Sequence, residues 1–129
     1  DGERARAEAR IAPGDLAAFF DRGGRAIILH GLADPLRAPA ATEAFAQGLG
    51  DAAADGAWIG FAPGVEGCGV DPGRIEATAL TGALEAWVEV GEAPDGLSAN
   101  PPRAGGGDRL VQICRWPATL RDGANCVAP

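Results

Sequence analysis

Two short apolar runs, Arg25-Ala26-Ile27-Ile28-Leu29 and Trp58-Ile59-Gly60-Phe61-Ala62, constrain this chain more than any other feature. Each ends in a Gly/Pro turn, and a helix-forming stretch separates them. A short run with no polar alternation is expected of a strand covered on both faces. Strands joined through a helix pair in parallel, because a hairpin turn cannot connect them. The fold class is therefore α/β. In open α/β sheets, ligands and catalysis gather outside the carboxyl ends of the strands. Chemistry is thus expected in the turns His30-Gly31-Leu32-Ala33-Asp34-Pro35 and Pro63-Gly64-Val65-Glu66-Gly67-Cys68-Gly69.

The rest of the chain is read around these strands, placed at 25–30 and 57–62. Residues 3–10 are helix-prone but charged all round, so 1–14 is expected to be a poorly ordered helical linker. Asp15 is suited to cap a short helix through Leu16, Phe19 and Phe20, with Gly23-Gly24 as its stop. Pro39 suits the first turn of a helix to about Leu49, with positions 41, 45, 48 and 49 on one face and Gly50 closing it. A loop at 51–56 leads into the second strand. Asp71-Pro72 reads as the start of the best helix, running from Ile75 to Val90. Ala79, Ala83, Leu84, Trp87 and Val88 share its apolar side, and Gly91 supplies the stop. Residues 93–129 read as a mostly irregular tail with one more strand near 110–114.

A 129-residue chain is long enough for one domain with a core. No run approaches the eighteen apolar residues of a membrane span, and no secretory leader is visible. The chain opens on Asp1 and lacks methionine, so it is expected to be a processed chain, an excised segment or an incomplete reading frame. The net charge of −7 and the scattering of eleven arginines argue against nucleic acid, which rewards clustered basic residues. One histidine and three separated cysteines give no zinc spacing, and Gly105-Gly106-Gly107 lacks the Lys-Ser/Thr of a phosphate loop. No cofactor or metal is expected.

The candidate residues each carry two readings. Asp34 before Pro35 is either a turn-forming residue or a catalytic carboxylate at a strand end. His30 is either a hydrogen-bonded packing residue or a catalytic one, and its place four positions before Asp34 leaves an interaction across the turn open. Glu66 is a solvated loop carboxylate or a weak base. The only serine, Ser98, lies in the tail with no strand-to-helix elbow around it.

Taken together, these two turn segments resemble the C-terminal part of the tannase/feruloyl esterase family of α/β-hydrolases. Its members have a His-Gly-Trp-Ala-Asp-Pro-like segment carrying the triad acid and a Pro-Gly-Met-x-His-Cys-like segment carrying the triad base. The likeness runs from about Asp15 through the 74–95 segment to a tail with two cysteines and an aromatic-Pro pair like Trp116-Pro117. It implies a partial α/β-hydrolase domain over 15–129, with a core at 15–92 and a disulfide-pinned tail at 93–129. It implies that Asp34 is the triad acid. Gly67 stands where the family has its histidine, and glycine can neither accept nor return a proton. Cys68 matches the family cysteine linked to one preceding the catalytic serine, a partner this chain lacks. The tail pair implies a disulfide between Cys114 and Cys126, which suits a secreted or periplasmic protein.

Two functions remain open on the sequence. One is the C-terminal part of a serine carboxylic ester hydrolase acting on small phenolic esters of gallate or ferulate type, inactive as this chain alone. The other is a non-catalytic, degenerate hydrolase module with a structural or interaction role. Either way, two or three strands leave sheet edges to be covered by a missing N-terminal portion or a second copy of the chain.

Overall fold

The structure is a computed structural model that describes residue 2 and residues 10–66, 75–107 and 109–129. Two parallel strands, β1 (Ala26–Gly31) and β2 (Ala57–Ala62), form its centre, in register from Ala26 opposite Ala57 to Gly31 opposite Ala62. The expected parallel pairing is present, and the strand bounds differ from the expected ones by one residue at β1. The reason for the apolar runs lies in the packing. Successive side chains of a strand point to opposite faces. Trp58 and Ala62, with Ile27 and Leu29, enter a core that also holds Val65, Trp87 and Ile113. Ala57 and Ile59, with Ala26 and Ile28, enter another built around Phe20 and Ala46. A core on both faces leaves the middle of each strand no place for a polar residue.

The second core is closed by a 3-10 turn at Pro13–Leu16 and two helices, α1 (Ala17–Asp21) and α2 (Pro39–Ala54). Asp15 sits inside the 3-10 turn, where its Oδ2 accepts the Ala12 N–H at 2.7 Å, so it does not cap α1 directly. The Gly23-Gly24 stop forms as expected. Gly23 takes φ 82°, and the Gly23 and Gly24 N–H groups donate to Phe20 O and Phe19 O, both at 2.9 Å. Gly50 breaks α2 with φ 63° and ψ −166°, and a further helical turn to Ala54 fills the expected loop. The inward face of α2 holds the expected Phe45 and Leu49 together with Thr42 and Ala46, while Ala41 and Gly48 are exposed.

On the other face lies α3 (Ala77–Val90), ended by Gly91 at φ 82° whose N–H donates to Trp87 O. It starts later than expected: Glu76 in extended conformation is its N-cap, Ile75 lies before it, and Asp71-Pro72 fall outside the described residues. Its buried stripe runs through Leu80, Ala83, Leu84 and Trp87, while Ala79 and Val88 face solvent. The stripe is rotated from the expected one, because the bulk of Trp87 and the two leucines sets which side turns inward.

The tail holds more pairing than its sequence suggests. β3 (Leu97–Ala99) pairs antiparallel with β4 (Val111–Ile113), and β5 (Thr119–Arg121) with β6 (Asn125–Val127). Between β4 and β5 the chain crosses β2, where Gly60 bridges Arg115 and Trp116 N–H donates to Ile59 O at 2.7 Å. Glycine is required at 60, since a Cβ there would lie 2.6 Å from both Ile113 and Trp58. The Arg115 guanidinium donates to Ala54 O and Ala57 O, fastening the tail to the end of α2 and the start of β2. Cys114 and Cys126 form the expected disulfide, tying β6 back to the buried end of β4. No described helix is long and apolar enough to cross a membrane.

Candidate active site

Both expected turns follow the carboxyl ends of the paired strands, and backbone bonds join them. Leu32 N–H donates to Ala62 O at 2.9 Å, and Ala33 N–H to Val65 O at 3.0 Å. The first turn is thus laced to the second just before Asp34. Val65 is fully buried, so it anchors the second turn in the core beside Trp58. Gly64 takes φ 69°, which turns the chain sharply after Pro63.

Asp34 is half-buried in the first turn. Its N–H donates to Gly31 O at 3.2 Å, closing the turn. Its Oδ1 accepts from Leu36 N–H at 2.8 Å and Arg37 N–H at 3.2 Å. This Asx-type geometry explains the Asp-Pro signal, and the turn reading of Asp34 is correct as far as it goes. Both bonds end on a single oxygen, however, so the turn does not consume the other one. A carboxylate locked in this way can orient an imidazole N–H from a neighbouring loop.

His30, the last residue but one of β1, is almost fully buried. Its Nε2 lies 3.1 Å from Arg37 O and its Nδ1 2.8 Å from Thr42 Oγ1. A carbonyl only accepts, so Nε2 carries a proton and donates it to Arg37. In the neutral ring, Nδ1 then accepts from the Thr42 hydroxyl. Both ring nitrogens are thereby engaged away from Asp34, and the two side chains bond to opposite sides of the Arg37 backbone. Residue type alone did not reveal these partners: Thr42 comes from the first turns of α2 and Arg37 contributes only backbone.

Gly67 and Cys68 lie outside the described residues. Glu66 is exposed at the end of the second turn. Ser98 is exposed in β3 opposite Gln112, with no elbow around it. An open groove of about 640 Å³ lies beside the strand ends, lined in part by Leu32, Phe61, Pro63, Trp116 and Leu120. Asp34 is not among its lining residues. A second groove, of about 660 Å³ between α2 and the tail, shares no residue with either turn. Among the described residues, no cluster of three or more His, Cys, Asp or Glu side chains could hold a metal ion.

Comparison with known proteins agrees with this arrangement. Residues 9–125 match the family model described as tannase and feruloyl esterase. The chain is 40% identical over 113 residues to a mono(2-hydroxyethyl) terephthalate hydrolase from Piscinibacter sakaiensis, a match covering 83% of this chain and 19% of that protein. It is 32% identical over 117 residues to a probable feruloyl esterase from Arthroderma benhamiae, covering 83% and 22%. It thus spans about a fifth of the length of these curated relatives. Two solved structures share the fold. Tannin acyl hydrolase from Aspergillus niger matches with TM-score 0.67 and 22% identity, over 88% of this chain and 24% of that one. Feruloyl esterase B from Aspergillus oryzae matches with TM-score 0.65 and 19% identity, over 88% and 29%. The chain belongs to the tannase and feruloyl esterase family.

Proposed function

We propose that this chain is the C-terminal part of a serine carboxylic ester hydrolase with the α/β-hydrolase fold, and that Asp34 is its triad acid. The observation that carries the reading is the lacing of the two strand-end turns through Leu32–Ala62 and Ala33–Val65. It brings the Asp34 turn against the loop leading to residue 67, the position at which the family resemblance expects the base. The substrate class is a small ester of an aromatic acid, of gallate or ferulate type. The terephthalate named for one relative is an aromatic acyl group too. The nucleophilic serine and the partner of Cys68 belong, in this reading, to a preceding portion of the protein. That portion also covers the edge of β1, which among the described residues pairs only with β2. A second copy of the chain is the other candidate for that edge. The Cys114–Cys126 disulfide supports a secreted or periplasmic location.

In the reaction, Asp34 holds an imidazole in one tautomer and stabilises its cationic form while serine attacks the ester carbonyl. Glycine at 67 supplies no imidazole, so the chain alone hydrolyses no ester. The same substitution favours a second reading, a non-catalytic module that keeps the scaffold. A chimera separates the two, with this chain replacing the segment it matches in the mono(2-hydroxyethyl) terephthalate hydrolase. With Gly67 the chimera is expected to be inactive, and Gly67→His to raise kcat/KM by about 10³-fold or more. Adding Asp34→Asn is expected to remove that gain. Failure of Gly67→His to rescue a folded chimera would favour the non-catalytic module. Full activity with Asp34→Asn would end the triad-acid reading.

A further inference from the structure

We propose that His30 is a positioning residue for Asp34, acting through the backbone of Arg37; this rests on the reading of Asp34 as the triad acid. Arg37 is bonded on both sides. Its N–H donates to Asp34 Oδ1, and its C=O accepts from His30 Nε2. His30 is in turn fixed by the Thr42 hydroxyl on Nδ1 and by packing near the Phe61 ring, 6.2 Å between centroids. The sequence of contacts Thr42, His30, Arg37, Asp34 therefore runs from the first turns of α2 to the carboxylate without a gap.

The arrangement answers a mechanical problem. The segment 32–37 has little apolar anchorage of its own: Leu32 is half exposed and Leu36 is 91% exposed. Backbone bonds from Leu32 and Ala33 hold the start of the turn to β2 and the second turn, but past Asp34 apolar packing is slight, and two bonds to one carboxylate oxygen fix residues 34–37 only relative to one another. His30 grips this far half from the strand end. A histidine does this with a ring that is apolar on its faces and polar at two opposed edges. Its burial beside the strand contributes rigidity, and its Nε2–H carries that rigidity to Arg37. A residue that only filled space at position 30 would stabilise the sheet and leave the carboxylate to wander.

Amide hydrogen exchange on the 129-residue chain tests the proposal without any assay of hydrolysis. In His30→Leu, the Leu36 and Arg37 amides, which bond Asp34, are expected to exchange about tenfold faster, the effect of one lost hydrogen bond. The Leu32 and Ala33 amides, which bond β2 and its turn, are expected to keep their protection. His30→Gln, whose side-chain N–H can still reach Arg37 O, is expected to restore slow exchange at Leu36 and Arg37. Thr42→Val removes the anchor on Nδ1 and is expected to speed the same two amides to a smaller degree. It carries the test alone if His30→Leu does not fold. Equal loosening of all four amides, no change at Leu36 and Arg37, or no recovery with Gln would overturn the proposal. The triad-acid reading stands or falls separately, on hydrolysis by the chimera with Asp34→Asn.

Discussion

The two strand-end turns lie side by side and are held in opposite ways. The first is polar in its support: Asp34 closes on the Leu36 and Arg37 amides, and His30 grips Arg37 from the strand. The second is apolar in its support: Val65 is fully buried, and the turn offers the first only backbone carbonyls. The difference bears on how a site survives substitution. Backbone bonds between the turns do not depend on which side chain follows Val65. In the proposed reading, glycine at 67 therefore removes the proton shuttle while Asp34 stays in place. Polar support of the first turn is specific to residue type, and apolar support of the second is not.

Substitutions that act on one turn and spare the other test this contrast. Trp58→Ala removes a fully buried side chain from the core that both strands and Val65 enter, and the bond from Nε1 to Pro94 O. A loss of about 3–5 kcal/mol is expected in denaturant melts, with both turns loosened together. Cys126→Ser is the control outside the contrast. Opening the Cys114 link is expected to lower stability by about 3 kcal/mol by freeing the unfolded chain, with exchange at both turns unchanged. Val65→Ala is expected to cost about 2 kcal/mol and to expose the second turn first. Asp34→Ala is expected to cost only about 1 kcal/mol, releasing Leu36 and Arg37 while Val65 stays buried. If Asp34→Ala loosened the second turn as much as the first, the two supports would not be separate.

Much of this was legible in the chain before the fold was seen. The apolar runs announced both strands, because a strand with a core on each face has only one composition available to it. Gly23-Gly24 and Gly91 announced helix ends, since Gly23 and Gly91 take a backbone conformation that glycine favours. The α3 stripe was legible at Ala83, Leu84 and Trp87 and off by a rotation at its margins, where Leu80 turns inward and Ala79 and Val88 do not. Spacing alone weighs Ala79 and Val88 equally with Leu80, whereas packing is decided by the largest side chain, Trp87. The β5–β6 hairpin was missed although Asp122-Gly123 signals it; Asp122 and Gly123 take φ 52° and 71°, as such a turn requires. At the candidate site, the Asp34 turn was legible because its geometry lies within four residues of chain. The hold of His30 on Arg37 was not, because its second anchor, Thr42, arrives by tertiary packing.

The account depends above all on the contact between the two turns. Scalar couplings across hydrogen bonds, measured by NMR between Ala33 N–H and the Val65 carbonyl and between Leu32 N–H and the Ala62 carbonyl, report it directly. Both couplings are expected, with slow exchange at both amides. Absence of both, with free exchange at Ala33, would separate Asp34 from the loop that leads to Gly67 and contradict the preserved site.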